Sequence, residues 1–289
     1  MKRIAVLGSD GQLGKTLKHS AGNANSSYKF YTKSEIDITN KDAIDNTFKN
    51  NSFDFCINCA AYTNVEAAET DFKNAFLVNA IGTKNIAEIC KAYHVKLIHV
   101  STDYVFDGTK NSPYTTNDAT NPINQYGRSK LGGERYIKDI MAEYYIIRAS
   151  WLYSIYGKNF MITIINWIAK DKVLNITTEE TGTPTSCLDL GRFILHILTA
   201  ENIPYGVYNF SARGKTTWYG FAREIARIYD VDKLDNITSV DTYKTKAKRP
   251  KYSVLDVSHT ENIYNKTLNT WQKSLSETLE LFKSQESIV

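Results

Sequence analysis

Short apolar runs, each followed by glycine or small polar residues and then by a helical spacing of apolar positions, set the rhythm of the first half of this chain. Ile4-Ala5-Val6-Leu7 is the first run. It ends in Gly8-Ser9-Asp10-Gly11-Gln12-Leu13-Gly14, after which Leu13 and Leu17 begin a helical period. Residues 28–31 read as a second strand, and Thr39 or Asn40 is placed to cap a helix through Phe48. Residues 53–58 form a third strand that leads into Ala60-Ala61-Tyr62-Thr63. A long helical region follows, with Asn79, Gly82 and Asn85 set into an otherwise apolar pattern. Residues 96–100 make a fourth strand and deliver Ser101-Thr102-Asp103 at its carboxyl end. The polar segment 107–124, with Pro113 and Pro122, is a loop. A helix then runs from Gln125 to about Glu143, and residues 145–148 form the next strand. Strands alternating with helices predict an α/β fold built on a Rossmann-type, doubly wound parallel sheet.

After Trp151 the rhythm loosens. Helices are expected over 160–169, 188–198, 218–229 and roughly 275–282, with a turn at 181–185 and a strand at 205–210. The expected organisation is a dinucleotide-binding domain over 1–150. Residues 151–289 form mainly a smaller, interleaved substrate lobe, some of whose segments return to the first domain.

Composition narrows the class without naming a chemistry. A chain 42% hydrophobic and 23% charged lies in the range of globular proteins rather than disordered ones. The net charge of +4 is modest and spread out, and no nucleic-acid-binding motif accompanies the basic run Lys244 to Lys251, which reads as a diphosphate contact or a solvated loop. No apolar run approaches the roughly 18 residues of a membrane span, and the opening residues run straight into a strand pattern, so a cytoplasmic location is expected. Cys56-Ile-Asn-Cys59 has redox-motif spacing, but residues three apart on a strand face opposite ways, so both are expected to be structural thiols. No metal site is read from the scattered histidines.

The candidate chemistry lies in Gly8–Gly14 and in 101–130. Strand, glycine turn and helix in that order suit a pyrophosphate, which the backbone approaches at Gly8, Gly11 and Gly14 and which the free N–H groups of the helix start attract; an ordinary βα turn is the alternative. No acid directly follows the second strand to bind a ribose 2′-hydroxyl, whereas Lys33 is available for a 2′-phosphate, which favours NADPH. Tyr126 and Lys130, four residues apart on one helix, share a face. An ammonium beside a phenol is expected to lower the tyrosine pKa, and a hydroxyl such as Thr102 could polarise a carbonyl.

Together, Gly8-x-x-Gly11-Gln12-Leu13-Gly14, Asn58-Cys59-Ala60-Ala61-Tyr62-Thr63, Ser101-Thr102-Asp103-Tyr104-Val105-Phe106-Asp107-Gly108 and Tyr126-Gly127-x-Ser129-Lys130 resemble the dTDP-4-dehydrorhamnose reductase family of extended short-chain dehydrogenases. The resemblance continues through Gly182-x-Pro184-Thr185 and Arg249-Pro250 and spans almost the whole chain. It implies a catalytic triad of Thr102, Tyr126 and Lys130. It implies cofactor contacts from Gly11, Gln12 and Leu13, from Asp37 and Ile38, and from Ala60, Ala61 and Tyr62, with Asn79 nearby. Asp103, Tyr104, Trp151 and Arg249 would face a nucleotide-sugar. NADPH, with NADH also accepted, would reduce the C4 ketone of a dTDP-6-deoxy-4-keto-hexose for surface polysaccharide. Many members are homodimers and some depend on Mg2+. The chain departs from the pattern at Glu179-Glu180, where the family has Asp-Gln near substrate, which leaves the sugar or its ring substituents open, and mildly at Cys59 and Val65-Glu66. Related dehydratases carry an acid where Tyr104 stands, which argues against elimination. A related epimerase, or a catalytically silent regulatory subunit of the kind that accompanies methionine adenosyltransferase, is the alternative that the resemblance leaves open.

Overall fold

Six parallel strands form the central sheet in a computed structural model that describes residues 1–22 and 26–286. They are β1 (Lys2–Leu7), β2 (Ser26–Tyr31), β3 (Phe55–Asn58), β4 (Lys96–Thr102), β5 (Tyr144–Ala149) and β6 (Gly206–Phe210), in the spatial order β6-β5-β4-β3-β1-β2. Side chains alternate across the sheet, as the two-residue strand period requires. On β1, Ile4 and Val6 join Ile57, Ile147 and Phe193 in one core, while Ala5 and Leu7 join Ile44, Ile86 and Ile146 in the other. Both faces are therefore covered, which explains why these strands read as continuous apolar runs.

The chain passes from β1 to β2 on one side and returns to place β3 on the other. That reversal opens a crevice at the carboxyl ends of β1 and β3, where ligands of open α/β sheets bind. Helices α1 (Gln12–Ser20) and α2 (Lys41–Lys49) follow β1 and β2, with Asn40 rather than Thr39 accepting the Ala43 N–H as the cap of α2. The long helical region divides into Phe72–Phe76, a π-helical turn at Leu77–Gly82, and α3 (Thr83–Ala92). Helix α4 (Gln125–Ile140) ends earlier than the sequence pattern suggests. Met141 turns extended, at φ −113° and ψ 146°, to let the chain enter β5.

β6 comes from the second half of the chain yet completes the main sheet beside β5. The helix over Cys187–Thr199 also returns to the sheet through Phe193 and Ile194, while other segments after Trp151 build a separate apolar core from Tyr153, Ile164, Phe221, Trp271 and Leu275. In it, Leu174–Thr177 pairs in parallel with Ile237–Val240, an arrangement that the sequence pattern did not suggest. The last helix starts at Trp271, ahead of the expected residue 275, because the indole packs edge-on against Phe221 and belongs to the core. Among the described residues no helix is long and apolar enough to cross a membrane.

Candidate active site

Gly8 leaves β1 with φ +74°, and a Cβ there would lie 2.6 Å from the Ala60 backbone. Only glycine lets the turn after β1 lie on the segment after β3. Gly11 precedes α1 without a side-chain cap, and no acid occupies the helix's first turn. The helix start therefore offers uncapped N–H groups and the positive end of its dipole to an anion. A cavity of about 500 Å³ opens here. Gly8, Gly11, Gln12 and Leu13 line one wall, Lys33, Asp37 and Ile38 a second, and Ala60, Ala61 and Tyr62 a third. Tyr126 and Lys130 reach the same cavity from α4, so the dinucleotide-motif and Tyr-Lys residues share one space.

Two of the expected cofactor residues do not line it. A Cβ at Gly14 would meet the Gly8 carbonyl oxygen at 2.6 Å, so this glycine lets α1 pack beneath the turn. Asn79 is buried in the π-helical turn, where its Oδ1 accepts the Tyr62 N–H at 2.8 Å and its Nδ2 donates to Ser129 Oγ at 2.9 Å. It ties the Tyr62 wall to α4, and π-type turns often mark functional sites. Lys158, which sequence reasoning did not single out, also lines the cavity after Gly157 (φ +70°), a non-local contribution that no local motif signals.

The donor set fits a phosphorylated dinucleotide. The buried Gln12 Oε1 has no protein partner, and the cavity carries Lys33 and Lys158. Glu35, the nearest acid after β2, folds back onto the Thr32 N–H and hydroxyl at 2.7 and 2.8 Å and closes its own turn instead. Asp37 is held below the usual carboxylate range, mainly by the Thr39 N–H and then by its hydroxyl.

Asn124 caps α4 by accepting the Gly127 N–H at 2.8 Å, and its Nδ2 donates to the Lys248 carbonyl at 2.8 Å. A Cβ at Gly127 would lie 2.2 Å from the Tyr104 carbonyl oxygen, so a glycine after Tyr126 is what lets α4 approach the end of β4. There Thr102 accepts the Tyr104 N–H at 3.1 Å and hydrogen-bonds with Tyr126. The Tyr104 ring meets that of Tyr126 edge-on at 5.9 Å.

The expected lowering of the Tyr126 pKa is corrected by these surroundings. Burial pushes the phenol up to about 12, the Thr102 hydrogen bond opposes this only in part, and Asp103 adds to the rise. The lysine does not offset it, because Lys130 Nζ donates to the Val100 carbonyl at 2.6 Å and lies 3.4 Å from His99 Nε2. Burial brings Lys130 itself down to about 8, against the opposing pull of Glu134 and Cys59. Asp103, also buried, is raised to about 7 in spite of hydrogen bonds from Ser253 and Thr102.

Thr102, Asp103, Tyr104, Trp151 and Arg249 lie outside the lining of the dinucleotide-sized cavity; Thr102, Asp103 and Tyr104 group next to Tyr126, with Arg249 near Tyr104. Arg249 donates to Glu66 at 2.9 Å and feels the charge of Glu180, while its Nε is buried without a partner. Glu180 is buried there with one free carboxylate oxygen, and Glu179 pairs instead with Lys251 at 3.4 Å. Trp151, at φ 44°, lies against Gly182 and stacks on Trp218 at 3.6 Å. Of the basic run, Arg249 alone is drawn into this group; Lys244, Lys246, Lys248 and Lys251 are exposed. The four cysteines are free, and Cys56 is buried against Cys90. Among the described residues no group of three or more His, Cys, Asp or Glu side chains could hold a metal ion.

A glycine turn at the switch point and a Tyr-Lys helix facing it define a Rossmann-type protein of the short-chain dehydrogenase class. The model of the RmlD substrate binding domain matches residues 1–284, and the chain belongs to that family. It is similar to dTDP-4-dehydrorhamnose reductase of Aggregatibacter actinomycetemcomitans, at 33% identity over 95% of this chain and 97% of that protein. It is also similar to dTDP-4-keto-6-deoxy-D-glucose reductase of Streptomyces niveus, at 30% identity over 99% of both. Among solved structures, dTDP-4-dehydrorhamnose reductase of Bacillus anthracis in complex with NADP matches with a TM-score of 0.91 and 31% identity, over 96% of this chain and 99% of that one.

Proposed function

We infer that this protein reduces the C4 ketone of a dTDP-6-deoxy-4-keto-hexose with NADPH, giving dTDP-L-rhamnose or a close deoxysugar. The observation that carries the reading is Tyr126, hydrogen-bonded to Thr102, opening on the same cavity as the Gly8 turn. When bound, the reduced nicotinamide supplies the hydride. Gly11, Gln12 and Leu13 would hold its pyrophosphate, and Lys33 its 2′-phosphate.

The residues of the chain handle the proton. The Tyr126 phenol is protonated at neutral pH with or without burial, and the alkoxide that forms as the ketone takes the hydride is basic enough to take its proton. The Thr102 hydroxyl, whose one proton is given to Asp103 Oδ1 at 3.1 Å in the free protein, turns to donate it to the substrate oxygen and so offsets the negative charge that develops there. Lys130, which lines the same cavity, would hold the nicotinamide ribose when the cofactor is bound. Trp151, Tyr104 and Arg249 orient the nucleotide-sugar, and Arg249 is presented by its bond to Glu66. Glu180 is the place where this chain selects among sugars, because its free oxygen accepts from a hydroxyl where an amide would also donate.

Tyr126→Phe removes the proton donor and keeps the ring. Turnover should fall by about 10²–10⁴-fold, while NADPH binding, followed by fluorescence, stays near that of the wild type. Turnover close to wild type in this variant overturns the assignment of Tyr126.

A further inference from the structure

His99 on β4 is fully buried, lies outside the cavity lining, and has no part in the chemistry described so far. Its two ring nitrogens meet two different groups. Nδ1 is 3.1 Å from Asn58 Nδ2, and Nε2 is 3.4 Å from Lys130 Nζ.

The orientation of the Asn58 amide is fixed from its other end. Its Oδ1 accepts the Ala60 N–H at 3.0 Å, and Ala60 is pinned beneath Gly8. The amide therefore turns its NH₂ group to the imidazole, so Nδ1 must accept. A neutral imidazole carries one proton, which is then on Nε2 and points at Lys130. An N–H facing a neutral amine makes a hydrogen bond to its lone pair; facing an ammonium, it meets a second donor.

We propose that His99 is a positioning residue for Lys130: locked by Asn58 as the Nε2–H tautomer, it opposes a permanent charge on Nζ and keeps the lysine proton exchangeable near neutral pH. The Val100 carbonyl, 2.6 Å from Nζ, accepts a hydrogen bond from the lysine in either charge state and so does not choose between them. The remaining groups around Nζ come from three elements. Cys59 follows β3, and Tyr126 and Glu134 lie on α4. From β5, Arg148 holds Glu134 through bonds of 3.0 and 2.7 Å, and Ser101 of β4 donates to the same carboxylate at 2.6 Å, so its charge is shared with these partners although it still draws the Lys130 pKa up. Burial lowers the basicity of both His99 and Lys130, in the direction that the tautomer lock also favours. The role of Lys130 in turnover rests on the reductase reading, whereas the tautomer does not.

The first test needs no substrate. Long-range ¹H–¹⁵N NMR of the free, ¹⁵N-labelled protein, with the His99 signals assigned by their loss in His99→Gln, should show a neutral Nε2–H ring throughout the neutral pH range. An Nδ1–H ring, or an imidazolium, overturns the proposal. Asn58→Asp then reverses the lock. A carboxylate still accepts from Ala60 but also accepts from Nδ1–H, which turns the Nε2 lone pair towards Nζ. The tautomer should switch to Nδ1–H, and the alkaline limb of the kcat profile should move up by about one pH unit. A limb that moves with the tautomer unchanged would reflect the added charge alone and overturn the proposal. The expected tautomer in a protein that reduces no keto sugar would sink the reductase reading and leave the lock standing.

Discussion

Asp103 shows how burial sets chemistry at single residues. It is 2% exposed, between Thr102 and Ser253, and ionises only near pH 7 in the folded protein. An unfolded aspartate ionises near 4. The stability that the neutral carboxyl contributes is therefore complete below about pH 4, declines as the pH rises, and is lost above about 7. Asp103→Asn cannot ionise, so its melting temperature should gain on that of the wild type between pH 4 and pH 8. The gain should be roughly 2–4 °C for each kcal/mol of relieved penalty. An equal difference at both pH values would show that Asp103 pays no such penalty. The same physics separates spacing from environment at Tyr126. The i, i+4 relation to Lys130 was legible because helical geometry is local. The direction of the pKa was not, because it depends on desolvation and on Lys130 bonding to Val100, and both arise only on folding.

At the level of elements, the motifs that could be read are those in which strand, turn and helix are contiguous. Gly8 at the end of β1 and Asn124 at the head of α4 act within a few residues of the groups they organise. The substrate side is assembled differently, with Trp151, Gly182, Trp218 and Arg249 arriving from separate segments, and only the family resemblance pointed to it. Gly182 is the sharpest case. A Cβ there would lie 2.5 Å from the Trp151 ring, which cannot retreat because Trp218 stacks on it at 3.6 Å. Gly182→Ala should cost about 1–3 kcal/mol of stability and raise the KM for the nucleotide-sugar, with the Kd for NADPH unchanged. A wild-type KM in the folded variant would remove Trp151 from the sugar site.

Across the whole molecule, the order β6-β5-β4-β3-β1-β2 places the carboxyl ends of β1, β3 and β4 along one edge, so that Gly8, Ala60 and Thr102 converge although they are far apart in sequence. The alternation of strands and helices made this edge predictable. The way the halves are stitched was less visible. β6 leaves the second half to finish the sheet, and Asn209 on β6 donates to the Tyr114 carbonyl of the loop before α4 at 2.7 Å. Such pairing depends on register across long separations, which a two-residue strand period cannot specify. The account's central claim concerns the finished edge: an NADPH site and a proton donor meeting at a keto sugar. It is tested most directly by following oxidation of NADPH, with NADH in parallel, on addition of dTDP-6-deoxy-L-lyxo-4-hexulose. The account predicts rapid, sugar-dependent oxidation to a dTDP-6-deoxyhexose, faster with NADPH than with NADH because of Lys33. A protein that binds NADPH but oxidises none with any dTDP-4-keto-6-deoxy sugar would contradict it.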